Sequence, residues 1–94
     1  MKKIKVGRKS FRHPWYRVKY GEFTWCLHCQ RVYRTKSWVK NDWDCPEREC
    51  DGNALDASPW DADYLPRKCN PDYPPVPDVG GKYILYGNNY QDDR

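Results

Sequence analysis

Two short cysteine pairs, Cys26 with Cys29 and Cys45 with Cys50, constrain the fold of this chain more than any other feature. Two residues lie inside the first pair, four inside the second, and 15 separate Cys29 from Cys45. Zinc takes thiolates at about 2.3 Å in a tetrahedron, and two tight turns at this spacing can deliver four sulfurs to one ion from two ends of a small domain. Cys26, Cys29, Cys45 and Cys50 are therefore the candidate ligands of one structural Zn2+. A fifth cysteine, Cys69, stands before Asn70-Pro71 and is expected to be free and partly buried. His28, between the first two cysteines, is expected at the surface or beside the metal rather than on it. The odd cysteine count speaks against the alternative of two disulfides. So does the lack of a secretory apolar run behind Met1-Lys2-Lys3. The expected location is a reducing one, the cytoplasm or a particle assembled inside a cell.

A staple is needed. A chain of 94 residues is one small domain plus extensions. It buries only roughly 60 to 70% of its unfolded surface, and ordering costs about 1.5 kcal/mol per residue, nearly all of the hydrophobic gain. Structural zinc in small fingers contributes about 10 to 16 kcal/mol. Hydrophobic residues are 38% of the chain, yet there are five tryptophans, eight tyrosines and two phenylalanines, which separates it from disordered chains. The expectation is a thin core of rings, rings on a contact surface, or both. No segment is apolar over a length that spans a bilayer, so no membrane association is expected.

The net charge of +4 conceals an asymmetry. Residues 1–40 carry twelve Lys/Arg against Glu22 alone, +11, and residues 41–94 carry five against twelve Asp/Glu, −7. Either the halves neutralise each other within the fold, or the basic half meets a polyanion while the acidic half faces elsewhere.

Along the chain, residues 1–14 read as a basic arm and residues 15–66 as the metal-binding domain. Residues 67–94 read as a Pro-rich extended tail ending in a strand. Alternation from Trp15 to Tyr20 predicts a half-buried strand, and Gly21-Glu22 a two-residue turn into a returning strand, Phe23 to Cys26. Arg31 to Thr35 reads as a strand leaving the first knuckle. Pro46 presets φ in the second, and Gly52 is expected to take a positive φ behind it. Ser58-Pro59-Trp60-Asp61 predicts a short helix over 58–65, N-capped by Ser58, stopped before Pro66, with Trp60 and Tyr64 on its inner face. Residues 70–77 hold four prolines and read as polyproline II crossing a surface. Lys82 to Tyr86 reads as a strand that returns to the domain or offers a partner its edge.

A hairpin ending in one cysteine knuckle, followed by a second knuckle that opens Cys45-Pro46 and closes Cys50-Asp51-Gly52, resembles a zinc ribbon over about residues 20–57. The resemblance implies a small β-rich zinc-ribbon-like domain with one structural zinc on Cys26, Cys29, Cys45 and Cys50, here with one short helix and extended N- and C-terminal arms. It also implies nucleic-acid or protein binding without catalysis. Two departures stand out: four residues rather than two inside the second pair, and Gln30 where such ribbons often carry glycine. A site of four cysteines also resembles rubredoxin, an iron electron carrier, which the wide second pair and the positive net charge fit less well.

Four thiolates saturate a tetrahedral ion and leave no position for a reacting water, so no enzyme and no small-molecule substrate are expected. Two binding readings follow. The first is a structural or adaptor subunit that docks on protein neighbours through its extended arms. The second is nucleic-acid binding by the basic half. There, Arg12, Arg17, Lys19, Arg31, Arg34 and Lys36 would track phosphates while Trp15 or Tyr33 stacks on a base.

Overall fold

In the computed structural model, which describes residues 10–85, the chain runs through β1 (Phe11–Arg12), β2 (Lys19–Tyr20), β3 (Phe23–Cys26), β4 (Val32–Arg34), α1 (Thr35–Lys40), a 3-10 turn (Ala54–Asp56) and β5 (Ala57–Pro59). Strands β1 and β2 form a two-stranded antiparallel ladder, and β3 is the centre of a second antiparallel sheet ordered β4-β3-β5. The molecule is a small, mostly β zinc-ribbon-like domain with one short helix. The basic residues of 1–9 and the end of the predicted last strand, from Tyr86, lie outside the described residues.

Thr24, Trp25 and Cys26 are all at 0% exposure, so both faces of β3 are covered. Side chains alternate along a strand, which gives β3 two different cores. Cys26 joins Tyr20, Trp38, Trp43, Cys45, Ala54 and Ala57, while Trp25 joins Val32 and Trp60. Tyr73, Tyr83 and Leu85 close over the second cluster, so the tail supplies the cover of one sheet face. Its backbone is tied down as well: Tyr83 N donates to Gln30 O at 2.7 Å, Trp25 Nε1 to Tyr83 O at 2.9 Å and Trp60 Nε1 to Pro74 O at 2.9 Å. Of the strand expected over Lys82–Tyr86, the described part, 82–85, returns to the domain with a single bridge between Lys82 and Arg31 and forms no strand.

Three local expectations are corrected. Tyr20 does not lead into a hairpin with β3. It pairs with Phe11, buries its ring and donates its hydroxyl to Ala57 O at 2.8 Å, and Gly21-Glu22 hands the chain from one sheet to the other. The strand expected from Trp15 shrinks to Lys19–Tyr20.

The helix expected over 58–65 is absent. Ser58 pairs with Trp25 in β5, and its hydroxyl donates to Leu65 O at 2.8 Å instead of capping. Trp60 is buried, whereas Tyr64 is exposed.

The short helix is α1 instead, directly after β4. Its first N–H, on Thr35, donates to Glu22 O at 2.8 Å, and the Arg34 side chain makes no cap. It exists to bury Trp38, whose Nε1 donates to Thr24 O at 3.2 Å, and to seat Thr35 against Thr24, their hydroxyls 2.6 Å apart. It ends in a left-handed reversal, Asp42 at φ 57 and Trp43 at φ 66, that folds Trp43 N back onto Trp38 O at 2.7 Å. A bulky residue rarely takes that conformation. Here it places the Trp43 ring in the core beside Trp38 and Tyr20 and delivers Cys45 two residues later.

Candidate metal centre

The first cysteine pair sits where β3 turns into β4. Cys26 N donates to Arg31 O at 2.9 Å and Gln30 N to Cys26 O at 2.7 Å, closing a knuckle that requires φ 63 at Gln30. Gln30 thus adopts the left-handed conformation that glycine takes with least strain. Its side chain has its own use, since Oε1 accepts from Leu85 N at 3.0 Å and ties the tail to the knuckle. The second pair lies on the loop behind Trp43, held by Cys45 N to Gly52 O at 3.0 Å and Cys50 N to Glu47 O at 3.0 Å. Gly52 has no positive φ; what it supplies is space. A Cβ there would stand 2.8 Å from the Cys26 sulfur and 3.2 Å from that of Cys50.

The four sulfurs of Cys26, Cys29, Cys45 and Cys50 lie within 4.8 Å of one another. Cys26 and Cys50 are 3.7 Å apart, as are Cys29 and Cys45, too far for disulfides. A tetrahedron of sulfurs at 2.3 Å from a central ion has edges of about 3.8 Å, so the donor set fits one ion.

Backbone N–H groups turn toward the sulfurs: Cys29 N to Cys26 at 3.5 Å, Glu47 N to Cys45 at 3.4 Å and Gly52 N to Cys50 at 3.2 Å. The protons are unequally held. The nearness of the Cys45 thiol lowers Cys26 to about 5 and that of Cys26 raises Cys45, while burial pushes Cys29 up to about 12. Four thiolates at this separation repel one another, and the four sulfurs lie close enough to share one metal ion in place of their protons. His28 is exposed with Nδ1 3.5 Å from the Cys50 sulfur, beside the tetrahedron. Cys69 is exposed rather than partly buried and lies outside the cluster.

The eight predicted contact residues do not form one surface. Arg31 donates to Gly80 O at 2.7 Å under the tail. Arg34 pairs with Glu22 and lies over the Phe23 ring, 5.5 Å from its centroid. Tyr33 is half-buried and hydrogen-bonded to Glu47, and burial raises it to about 12. Lys36 is exposed on α1. Arg12, Trp15, Arg17 and Lys19 remain together on one exposed loop.

The residue that sequence reasoning passed over is His13, which had no evident partner. It is 4% exposed, with Nδ1 accepting from Trp15 N and Tyr16 N, both at 3.0 Å, and Nε2–H donating to Ala54 O at 2.8 Å. Its ring stacks between Tyr16 and Tyr20, with centroids 4.4 and 5.1 Å away. No local spacing announces this, because Ala54 is 41 residues away.

No protein-family model, no curated protein and no solved structure matches this chain. Among the described residues no helix is long and apolar enough to cross a membrane.

Proposed function

We propose that this protein is a non-enzymatic binding subunit of a larger macromolecular assembly, with a body folded around one structural Zn2+. The observation that carries the reading is the tetrathiol cluster. Cys26 and Cys29 come from the sheet and Cys45 and Cys50 from a loop with no regular structure, so an ion at their centre would clamp that loop to the sheet. Soft thiolate donors in a closed set of four suit zinc, and a saturated tetrahedron leaves the metal no open position for catalysis. The metal's part is then mechanical, and the protein's work falls to its exposed surface.

The exposed groups of the body favour a surface other than the tail. Residues 70–85 lie against the second core cluster, so the tail serves the body first. Trp15, Leu27 and Leu55, at 60%, 44% and 60%, are among the large apolar side chains exposed on the basic loop, the first knuckle and the 3-10 turn. Metal analysis of the native protein tests the staple. One zinc per chain and no visible absorbance are expected; a red iron form would replace this reading with electron transfer. Sedimentation of the tagged full chain tests the assembly, since a chain of 11.3 kDa that always travels alone is not a subunit.

A further inference from the structure

We infer that the loop from Arg12 to Lys19 is a preformed platform for single-stranded nucleic acid, with Trp15 stacking on a base while Arg12, Arg17 and Lys19 meet phosphates. The inference rests on the zinc-stapled binding-subunit reading and names the partner of that subunit.

Trp15 breaks the pattern of its own kind. The other four tryptophans are at most 8% exposed, whereas Trp15 is 60% exposed. An indole left in water forgoes the gain of burial, yet the backbone that carries this one is held in place. His13 anchors the backbone N–H groups of Trp15 and Tyr16 and is itself tied to Ala54 O. The Tyr16 hydroxyl donates to Leu55 O at 3.0 Å, and the β1–β2 ladder closes the base of the loop. A buried histidine and four hydrogen bonds thus hold the backbone that presents an exposed aromatic. Fixing it in advance removes the ordering cost of a contact.

The surroundings specify the partner. Among the described residues, Ser10 to Lys19 line an open concavity of about 710 Å3, within the range of ligand sites. Arg12, Arg17 and Lys19 are exposed around it. No carboxylate precedes Glu22 in the chain, and Glu22 is neutralised by Arg34, the only ion pair among the described residues. Cations with no carboxylate partner among the described residues, interleaved with an exposed ring, match a chain of phosphates that carries accessible bases. A duplex keeps its bases stacked on each other, out of reach of an indole, so the platform selects single strands.

The test uses the full-length, zinc-loaded chain and fluorescein-labelled mixed-sequence single strands, RNA and DNA, followed by anisotropy from low to moderate salt. Wild type is expected to bind single strands more tightly than the matching duplex. Trp15→Ala, an exposed position, is expected to raise Kd about 5- to 100-fold. Arg17→Ala with Lys19→Ala is expected to reduce the slope of log K against log salt by about 1.4, at roughly 0.7 per phosphate on a single strand.

Zinc content and far-UV circular dichroism of each variant keep failure of the staple distinct from failure of the surface. Unchanged affinity in a zinc-loaded Trp15→Ala chain overturns the platform. So does a duplex, or inorganic polyphosphate, bound as tightly as the single strand, since that would make charge alone sufficient. No binding at low salt overturns it too and leaves protein contacts as the role of this face.

Discussion

His13 shows how much a single side chain can organise when both of its ring nitrogens are used. With Nδ1 accepting two backbone N–H groups and Nε2–H donating to Ala54 O, only the neutral ring fits, and burial lowers its pKa from 6.5. Above pH 6.5 the ring is neutral folded or unfolded, and its contribution is fully present. As pH falls below 6.5 the unfolded chain takes the proton first, and stability is lost until the pH has passed the folded-state value. Imidazole shifts of His13 followed by NMR are expected to titrate below 6.5; a midpoint at or above 6.5 would mean that the ring is not locked neutral.

Residues such as this set the limit of what the sequence could yield. The four thiols were legible because ligand spacing is a local signal; Gln30 was legible only as a departure from glycine, and its left-handed conformation came with the structure. That Gln30 would also hold Leu85, and that Gly52 would matter for space rather than for φ, depended on contacts made only after folding.

Among the elements, the short ones were misread for a common reason. Six residues of helix and three of strand carry too little periodicity to compete with tertiary pairing. Ser58-Pro59 reads as a helix start until β3 claims Ser58 as a neighbour of Trp25. Thr35–Lys40 offers no side-chain cap, yet becomes helical because Trp38 has a site to fill.

The tail shows the same logic at larger size. Its prolines suggest a surface strap, but Tyr73 and Tyr83 pack on Trp60 with ring centroids 6.1 and 4.9 Å away and help close the face of β3 that holds Trp25. A chain ending at Cys69 is therefore expected to keep its zinc while losing about 3 kcal/mol of unfolding free energy, half-burial of two tyrosines at about 1.5 each. It is also expected to shift its tryptophan emission to the red. Urea unfolding measures the first and fluorescence the second; an unchanged midpoint would make the tail dispensable to the body.

Across the whole molecule, two thin aromatic clusters on either side of one three-stranded sheet are a small core for 94 residues. A core of this size does not by itself offset the entropy of ordering the chain, so the proposed metal carries much of the net stability. Chelation of the proposed metal is expected to abolish the near-UV signal of the buried tryptophans, and Cys26→Ser or Cys50→Ser to do the same without a chelator. Cys69→Ser, exposed and away from the cluster, is expected to behave as wild type. Equal damage at Cys69 would show that the ligand set is wrong.

The unequal footing of the two knuckles gives the protein a clock. Cys26 and Cys29 sit in a hydrogen-bonded hairpin, whereas Cys45 and Cys50 ride on a loop tied down mainly by its own turns and by Trp43. Once the ion is withdrawn, residues 44–53 are the stretch released first. A released loop is what a protease cuts, and four neighbouring thiols are what an oxidant joins. The proposed metal would then decide how long a copy of this chain survives, since a copy that has lost it is open to cutting and cross-linking before the rest of its fold gives way.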